Sequence, residues 1–449
     1  MKFASLFFLA LLSLTACQSV APWSDNTSIE LPKAYVADEE PSLEVKQSLL
    51  QLFSNKELRE VVESALTNNP DLLASRARLE ELGFNLRKTK GALFPSLSVN
   101  SSSSRSKSIA VPRTTSHNVS LDARWEVDVW GRIRSNVAAV SADRASALSD
   151  HQSASQSLAA QVMQAWFQLV SAEKSLGLSQ RRVDSFESTA QLVQRRFELG
   201  QASLGQLKLA KTDVENSRAD FEASRNQRDM ASRQVRVLMG GYPDESLSAT
   251  SWPSLENTVA AGLPSDLLRK RPDIVAAYQD IRAADARVQV AHADLFPSFT
   301  LTASGGRQTN TLSDLANSNF NYWNLIGNLS APIFEAGQRR AELGAAGKRA
   351  EQAYRRYQSV VLNALREVED ALGSEQYLAR EESARLAAFR EAQAAFDRTR
   401  RDYEAGITDL LSLLETQRGV FNTEQQTIKL RASRLNNRVA LALALGKGA

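Results

Sequence analysis

The chain has 449 residues, of which 43% are hydrophobic and 23% charged, with a formal net charge of +3. That balance excludes wholesale disorder and offers no electrostatic case for a nucleic-acid partner. A single Cys excludes an intrachain disulfide framework and a multi-Cys metal site, and His117, His151 and His292 are too scattered to make a metal centre.

Lys2 is followed by an apolar run from Phe3 to Leu14, then Thr15, Ala16 and Cys17. A basic start, an apolar stretch and small residues before a cut are the parts of a signal peptide, placed at 1–16. Leu14-Thr15-Ala16-Cys17 looks like a bacterial lipobox. That likeness implies that Cys17 becomes the first mature residue and carries a covalent lipid, and Gln18 after it agrees with export to the outer membrane. The plainer alternative is a free thiol discarded with an ordinary signal. The apolar run is shorter than the roughly 20 residues of a membrane-spanning helix, and nothing later in the chain approaches that length. A membrane crossing therefore has to be made by strands.

After a lipidated N-terminal segment (17–53) the chain repeats itself. Pro70-Asp71-Leu72-Leu73-Ala74 recurs as Pro272-Asp273-Ile274-Val275-Ala276, and Leu93-Phe94-Pro95-Ser96 recurs unchanged at 295–298, both at an offset of 202. Phe197-Glu198-Leu199-Gly200 matches Tyr403-Glu404-Ala405-Gly406 at an offset of 206. The expectation is a tandem duplication, with repeat 1 at 54–240, a linker at 241–265 and repeat 2 at 266–449. Each repeat reads as helix, β-hairpin and long helix pair.

In the first repeat a strand starts after Pro95 with Leu97 and Val99, and a Ser-rich loop near Arg105 to Ser116 leads to the next. From Asn118 to Val129 polar and apolar residues alternate without a break, a strong strand signal. The second repeat offers Phe299, Leu301 and Ala303, then a fourth strand over roughly Phe320 to Phe334. Four strands of about ten residues or slightly more are expected. From Arg132 to about Leu199, and again from Arg339 to Ala405, Ala, Leu, Gln, Glu and Arg dominate without Pro, which predicts helices on the order of 100 Å long. Val183, Phe186, Ala190, Val193 and Phe197 hold heptad spacing, as do Phe389, Ala392, Phe396, Thr399 and Tyr403. Gly200 and Gly406 then permit turns into return helices, Leu204 to Met239 and Leu410 to Leu445.

Four strands cannot close a barrel, because about eight is the smallest known, and an open edge cannot sit in lipid. Strands must be pooled between copies. Two copies fill the interior with side chains, whereas three make twelve strands around a lumen. The polar residues that alternate with the apolar ones favour three.

The lipobox, the two Leu-Phe-Pro-Ser segments, Asp128-Val129-Trp130-Gly131-Arg132 and the run from Tyr403 through Asp409 to Arg418 are similar to the TolC/OprM-type outer-membrane efflux factors, closest to the lipidated NodT-type branch. The resemblance implies an α+β membrane protein. It further implies a homotrimer with a 12-stranded β-barrel, four strands per chain, continued by a long α-helical periplasmic barrel, with 241–265 and both chain ends in an equatorial belt. It implies the exit channel of a tripartite pump for drugs or other small toxic compounds, with a periplasmic adaptor and an inner-membrane RND-type pump as partners. No nucleic acid, metal or cofactor beyond the Cys17 lipid is implied. The alternatives are a type I secretion duct for proteins and a heavy-metal efflux channel. The resemblance places the constriction at Leu411 and Glu415, gives Arg418 the position that ties neighbouring helices, and gives Tyr403 a hydrogen bond to the first turn. Gly200, Gln206, Gly406 and Asp409 fall at the turn tips that meet the adaptor. Relatives usually carry an Asp where Gln206 stands, and some carry another where Ser412 stands. The plain alternative for Glu415 and Arg418 is a solvated i,i+3 pair. No GxSxG, P-loop or HExxH pattern occurs, so an enzyme is not expected, and a coiled-coil lipoprotein rod would not need the strands.

Overall fold

The computed structural model describes residues 22–27, 31–32, 34–37, 52–108, 111–254, 262–317, 319 and 321–448. The signal peptide, the Cys17 lipid site and most of 17–53 lie outside the described residues, as does 255–261 of the linker. The elements are α1 (Lys56–Asn68), α2 (Pro70–Gly91), β1 (Ser96–Ser108), β2 (Val111–Val127), α3 (Arg132–Glu198), α4 (Leu204–Leu238), α5 (Pro264–Lys270), α6 (Pro272–Ala293), β3 (Ser298–Thr309), β4 (Asn321–Ser330), α7 (Gln338–Glu404) and α8 (Leu410–Ala444). Contacts divide the chain into two compact units, one built from 1–29, 78–149 and 275–360, the other from 30–77, 150–274 and 361–449. Among the described residues no helix is long and apolar enough to cross a membrane.

The first unit holds one antiparallel sheet of order β1-β2-β3-β4. Leu121 pairs with Val99 and Gly305, Ala123 with Leu97 and Ala303, and Trp125 with Leu301, so the apolar members of the alternation share one face. Leu329, Leu325 and Trp323 on β4 extend it. Leu97 is 67% exposed and Trp323 82% exposed, so this face is an unburied apolar surface. The opposite face is polar and internally bonded: Asp122 accepts from Asn100 at 2.6 Å and from Ser120 at 2.8 Å. Gly306 is forced by close approach, since a Cβ there would lie 2.2 Å from the Val119 carbonyl oxygen. Tyr322, its partner on β4, reaches across the bare backbone to donate to Asn118 at 2.9 Å.

The expected Ser-rich loop is not a loop. Arg105 pairs with Thr115 and Ser106 with Thr114 in the β1–β2 ladder, and β2 runs for 17 residues. Serine is a poor strand former by propensity, but the ladder and cross-strand bonds such as Ser106 Oγ to Thr114 Oγ1 (2.8 Å) override it. At the other end β4 stops at Ser330, short of the expected Phe334, because Pro332 has no N–H for the ladder.

The Asp128–Arg132 motif is a strand-to-helix joint. Asp128 accepts the N–H groups of Ile133 and Arg134, both at 2.9 Å, and so satisfies orphan donors of α3. Arg132 forks onto Glu126 at 2.8 Å, and the Trp130 indole donates to the Pro297 carbonyl at 2.7 Å while stacking on Phe296.

The second unit is helical. Asn55 and Asn69 cap α1 and α2, accepting from Leu58, and from Asp71 and Leu72, at 2.9–3.1 Å. Its main core joins Phe53, Leu58 and Val62 to Met163, Trp166 and Phe167 of α3, Val235 of α4 and Leu435 and Val439 of α8. Burying each large side chain contributes about 1.5–3 kcal/mol. The described part of the linker is held by Arg228, which donates to the Glu245 carbonyl at 3.0 Å, and by Arg236, which binds Asp244 at 3.0 Å. The long helices match in pairs, α3 and α7 at 67 residues and α4 and α8 at 35.

Candidate gate at the helix-turn tips

At the end of the second unit α3 turns into α4 and α7 turns into α8. Gly200 (φ 71°) and Gly406 (φ 77°) take the left-handed conformation that ends each long helix. Gln201 N–H returns to the Arg196 carbonyl at 2.7 Å and Ile407 N–H to Asp402 at 2.8 Å, closing both turns on the backbone. Ser203 and Gln206 form a reciprocal capping box at the start of α4, with bonds of 2.8 and 3.2 Å. At α8 the cap is Asp409, which accepts from Ser412 N–H at 2.8 Å. The Ser412 backbone N–H, then its hydroxyl, holds the Asp409 carboxyl below the usual carboxylate range.

Below the turns the four helices share a core of Phe186, Val193, Leu207, Phe396, Leu410 and Leu414 among others. Of the heptad residues, Phe186, Ala190, Val193, Phe396 and Tyr403 sit in it and Phe389 and Ala392 pack against it, whereas Val183 and Thr399 do not belong to it and Phe197 lies exposed at the tip. Tyr403 is 3% exposed within this core. The Arg196 guanidinium lies 4.3 Å over its ring and donates to the carbonyls of Tyr403 (2.5 Å) and Glu404 (3.1 Å), so α3 caps the end of α7. Among the described residues the Tyr403 hydroxyl makes no hydrogen bond to the first turn; the stacked Arg196 ties the two tips instead.

Leu411 is 62% exposed, and Glu415, one turn on, is exposed on the same side, while Leu410, Leu413 and Leu414 point into the core. Glu415 makes no ion pair among the described residues. Arg418 turns away from it and places Nη2 2.7 Å from both carboxylate oxygens of Asp213 on α4. The solvated Glu415–Arg418 pair therefore does not form. Beside this link Gln417, fully buried, accepts from Thr189 at 3.2 Å and donates to Ser185 at 2.8 Å.

Residues 61–241 and 263–447 match the outer membrane efflux protein family. The chain belongs to that family. Relatives include the cation efflux system protein CusC of Escherichia coli, 27% identical over 98% of each chain, and the pyoverdine export outer membrane protein OpmQ of Pseudomonas aeruginosa, 30% identical over 98% of this chain and 95% of that one. A solved structure of CusC superposes with a TM-score of 0.85 at 26% identity, covering 94% of this chain and 99% of that one. The open state of the Neisseria gonorrhoeae MtrE outer membrane channel gives 0.83 at 26% identity, covering 94% and 98%. As an outer membrane efflux protein, the molecule is an export channel of the outer membrane.

Sequence reasoning missed Asp213, Gln417 and Arg196. Asp213 had a signal: it follows Leu207 and Ala210 on the buried seam of α4, where an acid without a partner would be costly. Gln417 and Arg196 had none, because their partners lie over 200 residues away in sequence. Among the described residues no cluster of His, Cys, Asp and Glu is arranged to hold a metal.

Proposed function

We propose that three copies of this chain pool their sheets into a twelve-stranded barrel and form the exit duct of a tripartite efflux assembly for drugs or other small toxic compounds. The observation that carries this reading is the four-stranded sheet with a largely exposed apolar face and two unpaired edges, β1 and β4, among the described residues. Each unpaired backbone group in lipid costs several kcal/mol, so the edges need partners, and only other copies supply matching ones. Twelve strands leave a lumen lined by the polar face. The equal helix lengths support a tandem duplication, which gives three copies six long helix pairs. The protein acts as a conduit and not as an enzyme. Cys17 carries the lipid, and a periplasmic adaptor meets the tips around Gly200, Gln206, Gly406 and Asp409 on behalf of an inner-membrane RND-type pump.

In this reading Leu411 and Glu415 line the narrowest part, and Arg418 with Asp213, and Arg196 with Tyr403, hold the tips inward. Three Glu415 carboxylates around one axis attract cations. A cation cargo is the second reading, favoured by this ring and by the name of the CusC relative. Light scattering of detergent-extracted protein and conductance in planar bilayers test the assembly. A trimer that conducts is expected, and a monodisperse monomer with native strand content overturns the barrel. Labelled palmitate should enter the wild type and be lost in Cys17→Ser.

A further inference from the structure

In the helical unit α3 of the first repeat packs along α8 of the second. Gln417 bonds to Ser185 and Thr189, Gln425 donates to Ser175 at 2.9 Å, Arg181 pairs with Glu424, and the ring centroids of Phe186 and Phe421 lie 6.3 Å apart. Apart from Arg181, these side chains are buried or half-buried. The pairings advance along α3 as they retreat along α8, so the seam is antiparallel and has one fixed register.

The duplication supplies both sides of that seam a second time. At the offset of 206, α3 corresponds to α7 and α8 to α4. Ser185 and Gln417 become Glu391 and Lys211, Arg181 and Glu424 become Ala387 and Arg218, and Ser175 and Gln425 become Glu381 and Ala219. All of these counterparts are exposed. Glu391 and Lys211 make no ion pair among the described residues. Farther from the tips on the same two faces stand Tyr377, 71% exposed, and Met230, 58% exposed. At about 1.5 Å per residue both lie roughly 40 Å from their turns, and the register of α3 on α8 sets them opposite each other.

We infer that α7 of one copy packs against α4 of the next in the register of α3 on α8, with Glu391 accepting from Lys211 of the next copy and Tyr377 covering its Met230. The inference rests on the proposed trimer and assigns the residues that meet along its helical seam. Two repeats that pack side by side through unlike faces leave the same unlike faces free at their outer ends, and repetition around an axis joins them. The charges agree, since the neutral Ser185–Gln417 bond within a chain is replaced by an acid on α7 and a base on α4. The seam between chains is therefore the salt-sensitive one, because its ion pair is exposed and the Gln417 bonds are not.

The test uses the full-length chain in isolated outer membranes. Two differently tagged chains are co-expressed, one with Glu391→Cys and the other with Lys211→Cys, and treated with a short bismaleimide. A covalent product carrying both tags is expected, and a chain with both substitutions should run as a covalent trimer on a denaturing gel. Chains with one substitution report any link through Cys17. Moving the second cysteine to Arg225→Cys, out of register on α4, should lose the link. Equal linking from 211 and 225, or no link in protein that scatters light as a trimer, overturns the register. A monodisperse monomer overturns the trimer with it. Charge reversal gives a readout without a cross-linker: Lys211→Glu should lower the temperature at which trimers separate, and adding Glu391→Lys should restore it. A double variant no more stable than Lys211→Glu alone overturns the ion pair.

Discussion

The two helix-turn tips share a backbone and differ in almost every side chain that matters. Both end a 67-residue helix at a left-handed glycine and start a 35-residue helix at a side-chain cap three residues later. At the offset of 206, Gly205 of the first tip corresponds to Leu411 of the second, Leu209 to Glu415, and Phe197 to Tyr403. Phe197 is partly exposed, whereas Tyr403 is clamped under Arg196. A turn closed by its own backbone hydrogen bonds tolerates such exchange, because no side chain is needed to hold its shape. One tip therefore stays a plain buttress while the other gains a bulky apolar residue, an acid and an anchored ring.

That contrast breaks most directly in conductance. Leu411→Ala combined with Glu415→Ala should raise single-channel conductance several-fold, while Leu209→Ala in the first tip should leave it unchanged; equal effects at both tips would erase the distinction. Glu415→Ala alone should reduce cation selectivity.

The next largest effect is expected at the link between the tips. Arg418→Ala strands the carboxylate of Asp213, whose side chain is 8% exposed, next to the shared core. With Arg418 itself 40% exposed, the loss is about 1–3 kcal/mol. Thermal melting should shift down, and hydrogen exchange at 403–418 should speed up together with a rise in conductance. Asp213→Asn, which keeps a hydrogen-bond acceptor, should lose less.

Gly200→Ala and Gly406→Ala each force a left-handed alanine at a cost of about 1–2 kcal/mol, although space is free around both. If the shared backbone is what the tips have in common, the two costs should agree in melting experiments, and Asn at either site should recover part of the loss.

The smallest effect is one of pH. Asp409 has a lowered pKa in the folded chain, so its capping contribution is complete above the ordinary carboxylate value near 4 and fades as pH falls through the folded value. The Ser203–Gln206 box has nothing to titrate. Amide exchange at the start of α8 should therefore accelerate at acidic pH, and that at the start of α4 should not; matched acceleration at both would place the sensitivity elsewhere.

Most of the framework was legible because it rests on local rules. The alternation of Asn118 to Val129 encodes a strand with one apolar face, overrunning the end of β2 by two residues, and unbroken runs without Pro encode α3 and α7 to within a residue. Gly200 and Gly406 mark the turns through a backbone conformation confined to a few neighbouring residues, whereas the caps at Ser203 and Asp409 emerged only with the structure. Serine-rich Arg105 to Ser116 misled, since its extended form depends on pairing across the hairpin and not on the preference of its residues. Only the tertiary structure decided that Arg418 binds Asp213 and not Glu415, that Gln417 bridges to Ser185 and Thr189, and that Tyr403 lies beneath Arg196. These partners are brought together by the packing of one helix pair against the other, and no local periodicity carries information about which side chain will stand opposite across that seam.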